Sequence, residues 1–266
     1  VVLPDNHNHF IFHGSAREMV AAAAAAGVGE IAFTEHVFHI EEARVASPYI
    51  ATRFTPEGPP VDHASYLAAI AEAQANAPVA VRVGIELDVR ADDLAMTAAT
   101  DAFCADLSPA WDIVIGSVHV IAGDVAVEGE GAHPEPEAAW ADYLDRLVAA
   151  AASGRYDVIS HPARLARSAP DAPPFVARRY RELAAAAAAG DVALEVNGTD
   201  LERHPDLVRA LVAACAAEGA IISLGSDAHR PNNAGRVLGS RALLREHGIT
   251  AVAAFRSRVR TLVPIR

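Results

Sequence analysis

Ile221-Ile222-Ser223-Leu224-Gly225-Ser226-Asp227-Ala228-His229 is a short apolar run that ends in a carboxylate and an imidazole two residues apart. Side chains alternate along extended backbone, so this spacing points Asp227 and His229 the same way. The arrangement recurs. Asp5-Asn6-His7-Asn8-His9 follows the apolar start of the chain, Ile31-Ala32-Phe33-Thr34-Glu35 runs into His36, and Val81-Arg82-Val83-Gly84-Ile85 runs into Glu86. Ile113-Val114-Ile115-Gly116-Ser117-Val118 precedes His119, and Val158-Ile159-Ser160 precedes His161. Taken singly, each has a bland reading: surface histidines for His7 and His9, a buried acid paired with Arg82 for Glu86, satisfied core or loop histidines for His119 and His161. Recurrence at six strand ends is what those readings leave unexplained. Imidazole plus carboxylate is a donor set that suits Zn, Mn or Fe.

Between these runs lie longer Ala-rich amphipathic stretches, the alternation of repeated β-α units. Strands are expected over 2–6, 30–34, 79–86, 112–116, 157–160, 192–197 and 220–225. Helices are expected over 16–26, 64–77, 92–106, 137–152, 174–189, 204–218 and 233–247. Gly27 and Gly190 follow alanine runs, as glycine does at helix C-termini. Seven strands with right-handed crossovers close most naturally into a (β/α)7 barrel, an α/β fold with one unit fewer than usual. A closed ring converges the strand ends on one mouth; the rival, an open doubly wound sheet, would spread them along an edge. The 266 residues fit one such domain. Residues 38–60, with Arg44, Tyr49, Arg53 and several prolines, read as a lid over the mouth, and the Gly- and Glu-rich 122–136 as an exposed loop.

Charge and composition narrow the partners. The net charge of -12 offers nothing to grip a long nucleic-acid backbone, although bound cations would still let a small anion in. All 22 basic residues are arginine, which excludes Schiff-base lysines, phosphate-loop lysines and carbamylated-lysine metal bridges. Cys104 and Cys215 are too few and too far apart for a disulfide framework. The alanine runs 21–26 and 184–189 are too short to span a membrane, and Val1-Val2-Leu3-Pro4 lacks the parts of a secretory signal. A cytoplasmic protein is expected.

Beyond the recurring ligands, the chain resembles the PHP (polymerase and histidinol phosphatase) family of metallophosphoesterases over nearly its whole length. The resemblance rests on Asp5-x-His7-x-His9, Phe33-Thr34-Glu35-His36, Gly84-Ile85-Glu86-Leu87-Asp88, Gly116-Ser117-Val118-His119, Ser160-His161, Leu194-Glu195-Val196-Asn197 and Gly225-Ser226-Asp227-Ala228-His229. The threonine–glutamate–histidine form and the length resemble the histidinol-phosphatase branch. The resemblance implies a distorted (β/α)7 barrel and a site for two or three divalent transition metals, Zn, Mn or Fe. His7, His9, Glu86 and Asp227 would hold the first. Glu86 would bridge to the second, completed by His119 and His161. The third would use His36, His229 and one more histidine from the loop after the first strand; His13 is the candidate, in a loop shorter than the branch's. Asp5 is placed to receive an imidazole N–H behind this set.

The branch also carries an acidic residue two beyond the fifth-strand histidine, where this chain has Ala163. Arg164 or Arg167 could clamp a phosphate monoester, Arg167 being the better match to the branch's basic position. His39, His63, His133, His204 and His247 remain as surface or structural residues. The implied reaction is hydrolysis of a small phosphorylated metabolite, L-histidinol phosphate first, by a hydroxide held between metals, with Glu86 and Asp227 acting through it. Alternatives are a PHP phosphoesterase acting on nucleotides or short oligonucleotide ends, an amidohydrolase-like C–N hydrolase, and a metal-binding barrel without catalysis. The lack of lysine excludes the carbamylated form of the second.

Overall fold

Parallel pairing carries most of the architecture. A computed structural model describes residues 3–46, 58–90, 98, 99, 102, 103, 111–122, 125–128 and 133–265. The strands are β1 (Pro4–Asp5), β2 (Glu30–His36), β3 (Ala80–Asp88), β4 (Ile113–Ser117), β5 (Val120–Ile121), β6 (Val125–Ala126), β7 (Val158–Ile159), β8 (Ala193–Asn197), β9 (Ile222–Gly225), β10 (Ala251–Arg256) and β11 (Val259–Pro264). The helices are α1 (Ala16–Ala26), α2 (Glu41–Ala46), α3 (His63–Gln74), α4 (Pro136–Ala152), α5 (Phe175–Gly190), α6 (Gly198–Arg203), α7 (Pro205–Glu218) and α8 (Ser240–Glu246).

Among the described residues one sheet runs β1-β2-β3-β4-β7-β8-β9-β10-β11, while β5 and β6 form a separate small hairpin. Every pair from β1 round to β10 is parallel. The chain beyond β1 closes the ring against the end of β9: Asn6 N–H donates to Leu224 O at 2.8 Å, Asp227 N–H to His7 O at 2.8 Å and His9 N–H to Ala228 O at 2.9 Å. The ring strands β1, β2, β3, β4, β7, β8 and β9 therefore all end on the same rim, as a parallel barrel requires.

The last hairpin stoppers the other end. Asp112, just before β4, accepts Ser257 N–H through its side chain and Arg258 N–H through its carbonyl, and Arg258 pairs with Asp157, just before β7. Ala253 and Phe255 join Ala32, Ile113, Ile115, Val158 and Ala193 in a small apolar cluster inside the ring. The Asn6 amide donates to Ala253 O at 2.9 Å, so the stopper sits directly beneath the strand that leads to His7. The sequence reading assigns no element beyond residue 247; this hairpin is an addition to the expected seven units.

Several expected boundaries shift for visible reasons. Helix α1 starts at a Ser15–Glu18 capping box and stops at left-handed Gly27, as expected. Gly190 belongs to α5 instead of ending it, and Asp191 takes the left-handed cap. A Cβ at 190 would meet Ala151 O at 2.2 Å, so this glycine lets α5 and α4 approach. The helix expected over 233–247 begins only at Ser240, because two 3-10 turns, Pro231–Asn233 and Arg236–Gly239, take up the preceding chain. Within the expected exposed loop, Val127 is fully buried and its N–H bonds to His119 O at 2.9 Å. Most of the helix expected over 92–106, the middle of the expected lid (47–57) and Cys104 lie outside the described residues. Among the described residues no helix is long and apolar enough to cross a membrane.

Candidate metal centre

Glu86, near the end of β3, is buried and ringed by imidazoles. His36 is its direct register partner on β2. Two residues before Glu86, Gly84 makes room for the side chains of its register partners on both flanking strands: a Cβ there would lie 2.7 Å from Thr34 on β2 and 2.5 Å from Ile113 on β4. On one side of the carboxylate, Oε1 lies 3.2 Å from His7 Nε2, 3.5 Å from His119 Nε2 and 3.4 Å from His161 Nε2. On the other, Oε2 lies 2.5 Å from His36 Nδ1 and 3.8 Å from His9 Nε2. Asp227 faces the same space: its Oδ1 is 3.2 Å from His9 Nε2 and 3.7 Å from both His7 Nε2 and His229 Nδ1.

Two of these residues sit on unusual backbone. His161 has φ 33° and Asp227 φ 50°, in the left-handed region that side chains other than glycine avoid. Each is held there by its neighbours. Tyr143 donates to His161 O at 2.8 Å, and the Asp227 N–H is tied to His7 O. Such strain persists where the surroundings overdetermine it, and it gathers at functional sites.

A second layer of acids orients the imidazoles. Glu195 Oε1 lies 2.8 Å from His7 Nδ1, and its other oxygen accepts the His161 N–H at 2.7 Å. Asp88 Oδ1 lies 2.7 Å from His119 Nδ1, and Glu35 Oε2 is 3.6 Å from His9 Nδ1. Ser117 Oγ donates to Glu86 Oε1 at 2.5 Å and also contacts Ser160 Oγ. The Glu195 and Asp88 contacts occupy Nδ1 of His7 and of His119 and leave each Nε2 facing Glu86. Asp5 does not join this layer. Lower on its strand, it accepts the Ser226 N–H, the Ser226 hydroxyl and the Gly235 N–H at 2.8, 2.6 and 2.9 Å, closing the loop after β9. Arg82 pairs with Glu30, not with Glu86.

Electrostatics follow from this packing. Burial pushes the Glu86 carboxyl up, but His36, His7 and His119 outweigh it and hold it well below the usual range. Asp227 is likewise held well down against burial, chiefly by Arg164 and His7. Burial lowers His36, His161 and His229. Against burial, Glu195 and Glu86 raise His7, and the neighbouring carboxylates of Asp227 and Glu35 raise His9 to about 9.

The donor set fits divalent cations. Among the described residues, His7 Nε2, both nitrogens of His9, His36 Nδ1, both nitrogens of His161 and Glu86 Oε2 are buried without a hydrogen-bond partner. A short approach such as His36 Nδ1 to Glu86 Oε2, lacking hydrogen-bond geometry, is what lone pairs aimed at a common centre produce. Among the described residues three triads keep their donor atoms within 4.8 Å of one another: His9, His36 and His229; His7, His9 and Glu86; His36, Glu86 and His119. His13 is in none of them, and its ring centroid is 5.8 Å from that of His229.

The arginines read as a phosphate clamp are not open. Arg164 is buried, with Nη1 2.6 Å from Asp227 Oδ2 and 2.5 Å from Glu128 Oε1, and with Nε 3.0 Å from Asp200 Oδ1. Arg167 pairs with the second oxygen of Glu128 and lies 3.6 Å from Asp200. His39 and His63 are buried, His39 Nδ1 being 3.3 Å from Glu35 Oε2. The supporting acids were partly signalled in the chain. Glu86-x-Asp88 has the same-side spacing already used for His7 and His9, and Glu195 interrupts an apolar strand as Glu86 does.

A family model described as PHP domain matches residues 5–199. The fold is similar to that of histidinol phosphate phosphatase from Lactococcus lactis subsp. lactis, solved with zinc, L-histidinol and phosphate. The TM-score is 0.76 at 23% identity, covering 97% of this chain and 98% of that one. It is also similar to a candidate histidinol phosphatase of Listeria monocytogenes, with TM-score 0.68 and 16% identity over 89% of this chain and 99% of that one. No curated protein matches the chain.

Proposed function

The chain belongs to the PHP domain family, and from that premise we propose that it is a metal-dependent phosphatase of a small phosphate monoester, with L-histidinol phosphate the first substrate to test. The observation that carries this reading is the single carboxylate, Glu86, ringed by His7, His36, His119 and His161 within 3.5 Å. The zinc, L-histidinol and phosphate of the Lactococcus structure support the metal and the substrate class. On this proposal the chain is one cytoplasmic barrel domain.

His7, His9, Glu86 and Asp227 would hold one ion, and His119 and His161 would share Glu86 with a second. His36 and His229 would hold a third, for which His13 would have to move inward. Bound divalent ions supply Lewis acidity towards the phosphoryl oxygens and lower the pKa of a water nucleophile. Glu195 and Asp88 keep His7 and His119 presenting Nε2. Arg164 holds the outer oxygen of Asp227, so that Oδ1 faces the centre. Arg167, at the rim, meets the phosphate.

Phosphate release from histidinol phosphate, nucleoside monophosphates and sugar phosphates tests the reading. Purified protein should carry at least about two transition-metal equivalents, and Asp227→Ala and His119→Ala should abolish turnover while the fold melts normally. Protein that carries no metal after growth in Mn- and Zn-supplemented medium, or that releases no phosphate from any ester, would overturn it.

A further inference from the structure

Beside the candidate metal centre, two arginines already grip an internal anion. Arg164 Nη1 meets Glu128 Oε1 at 2.5 Å, and Arg167 Nη1 meets Glu128 Oε2. Two guanidinium donors on two oxygens of one anion is the way a phosphate monoester is held. The seat borders the centre directly, because the same Arg164 nitrogen is 2.6 Å from Asp227 Oδ2. Arg164 is 3% exposed, yet among the described residues its buried Nη2 has no hydrogen-bond partner, and neither has Arg167 Nε. Unpaired buried donors are costly. A carboxylate has no further oxygen to offer them, and a phosphate has.

Three acids contact this pair, Asp227 at the metal centre and Asp200 and Glu128 beside it, and of the latter two only one can be exchanged. Asp200 is 1% exposed, and its N–H is capped by Asn197 at the start of α6. The Glu128 side chain is 36% exposed. Its backbone is pinned one residue away, where Val127 N–H bonds to His119 O at 2.9 Å and Val127 O accepts the Ser168 hydroxyl at 2.7 Å. Rotation of the Glu128 side chain alone would empty the seat. With Asp200, Asp227 and Glu128 in place the two guanidiniums are already fully neutralised. A phosphate arriving beside a retained Glu128 would meet like charge at contact distance. Exchange of one anion for the other keeps both arginines paired.

We propose that Glu128 is an internal counter-ion filling the phosphate seat between Arg164 and Arg167, that a phosphorylated ligand displaces it, and that Glu128 thereby sets the affinity for such ligands. The substrate side of this rests on the phosphatase reading above; the seat itself can be tested with inorganic phosphate. Metal-loaded wild type, Glu128→Gln, Glu128→Ala and Arg167→Gln are titrated with phosphate by calorimetry, and KM for L-histidinol phosphate is measured on the same samples after checking metal content and melting. The phosphate Kd should fall roughly five- to tenfold in both Glu128 variants, the change that loss of one competing charge-assisted contact makes. KM should fall with it, and both should rise in Arg167→Gln. Unchanged phosphate binding in the Glu128 variants would overturn the proposal, and weaker binding would make Glu128 a ligand contact. If phosphate tightens as expected while no ester is hydrolysed, the seat stands and the phosphatase reading falls.

Discussion

Glu195 Oε1 lies 2.8 Å from Nδ1 of His7, on the far side of the ring from Glu86. Burial works to raise the Glu195 carboxyl, but His7 outweighs it and keeps the acid below its usual range. An ionised Glu195 accepts from Nδ1–H, which leaves Nε2 as the lone-pair donor towards the proposed ions. Glu195→Gln should therefore weaken metal binding by roughly 10–100-fold, read by competition against a chromogenic chelator. An unaltered affinity would remove Glu195 from the support of the centre.

Gly225 explains why that contact can form. A Cβ there would lie 2.0 Å from Glu195 Oε1 and 2.6 Å from His7 Cβ. Gly225→Ala should thus displace both residues, lowering stability by about 1–3 kcal/mol and metal content with it. Gly219→Ala is the control. Its φ of 73° makes alanine strained, but nothing stands within 4 Å, so a loss of about 1–2 kcal/mol without metal loss is expected. Equal metal content in both variants would show that crowding at 225 is absorbed elsewhere.

What could be read from the chain and what could not divide along physical lines. Strand-end ligands were legible because each reports itself locally, as an imidazole or acid where an apolar run stops. Helix α1 was legible because Gly27 marks its end. Glu195 supports His7 from 188 residues away, across a ring whose closure no spacing rule describes. Glu128 and Asp200 were hidden for the same reason: ion pairs with Arg164 appear only once Glu128 after β6, the turn after β7 and helix α6 are brought together. The stopper strand, Ala-Val-Ala-Ala-Phe-Arg, has helix-forming composition, and its partners inside the ring override that preference.

Glu35 sets a pH dependence. Its Oε1 accepts the N–H groups of Phe10 and Ile11 at 2.5 and 2.9 Å, and its Oε2 faces His39 and His9. Burial opposes ionisation, but His39 and His9 prevail and hold the carboxyl far below its ordinary range. A folded pKa below the unfolded one means stability that is fully present above about pH 4.3 and is lost as pH falls towards the folded value. Metal-free wild type should exceed Glu35→Gln by on the order of 2 kcal/mol near neutrality. The gap should close by up to about 1.4 kcal/mol per pH unit below about pH 4.3. Urea melts across that window give the answer; a gap independent of pH would mean that Glu35 is not ionised in the folded protein.

Removing the stopper should cost stability without touching the rim chemistry directly. Asp112 accepts the Ser257 N–H at 2.9 Å and the Val83 N–H at 3.1 Å through its two side-chain oxygens. Ser257 and Arg258 both have positive φ, 49° and 60°, so the turn depends on such outside contacts. Asp112→Ala leaves two amides without their partner at the barrel base, and a loss of about 1–3 kcal/mol is expected. Phe255→Ala removes the largest side chain that the hairpin places inside the ring, and the cavity cost of about 3–5 kcal/mol should exceed it. Thermal melts of the metal-loaded variants should therefore rank wild type above Asp112→Ala and that above Phe255→Ala. Should Phe255→Ala melt like wild type, the ring closes without its stopper and the hairpin only decorates the base.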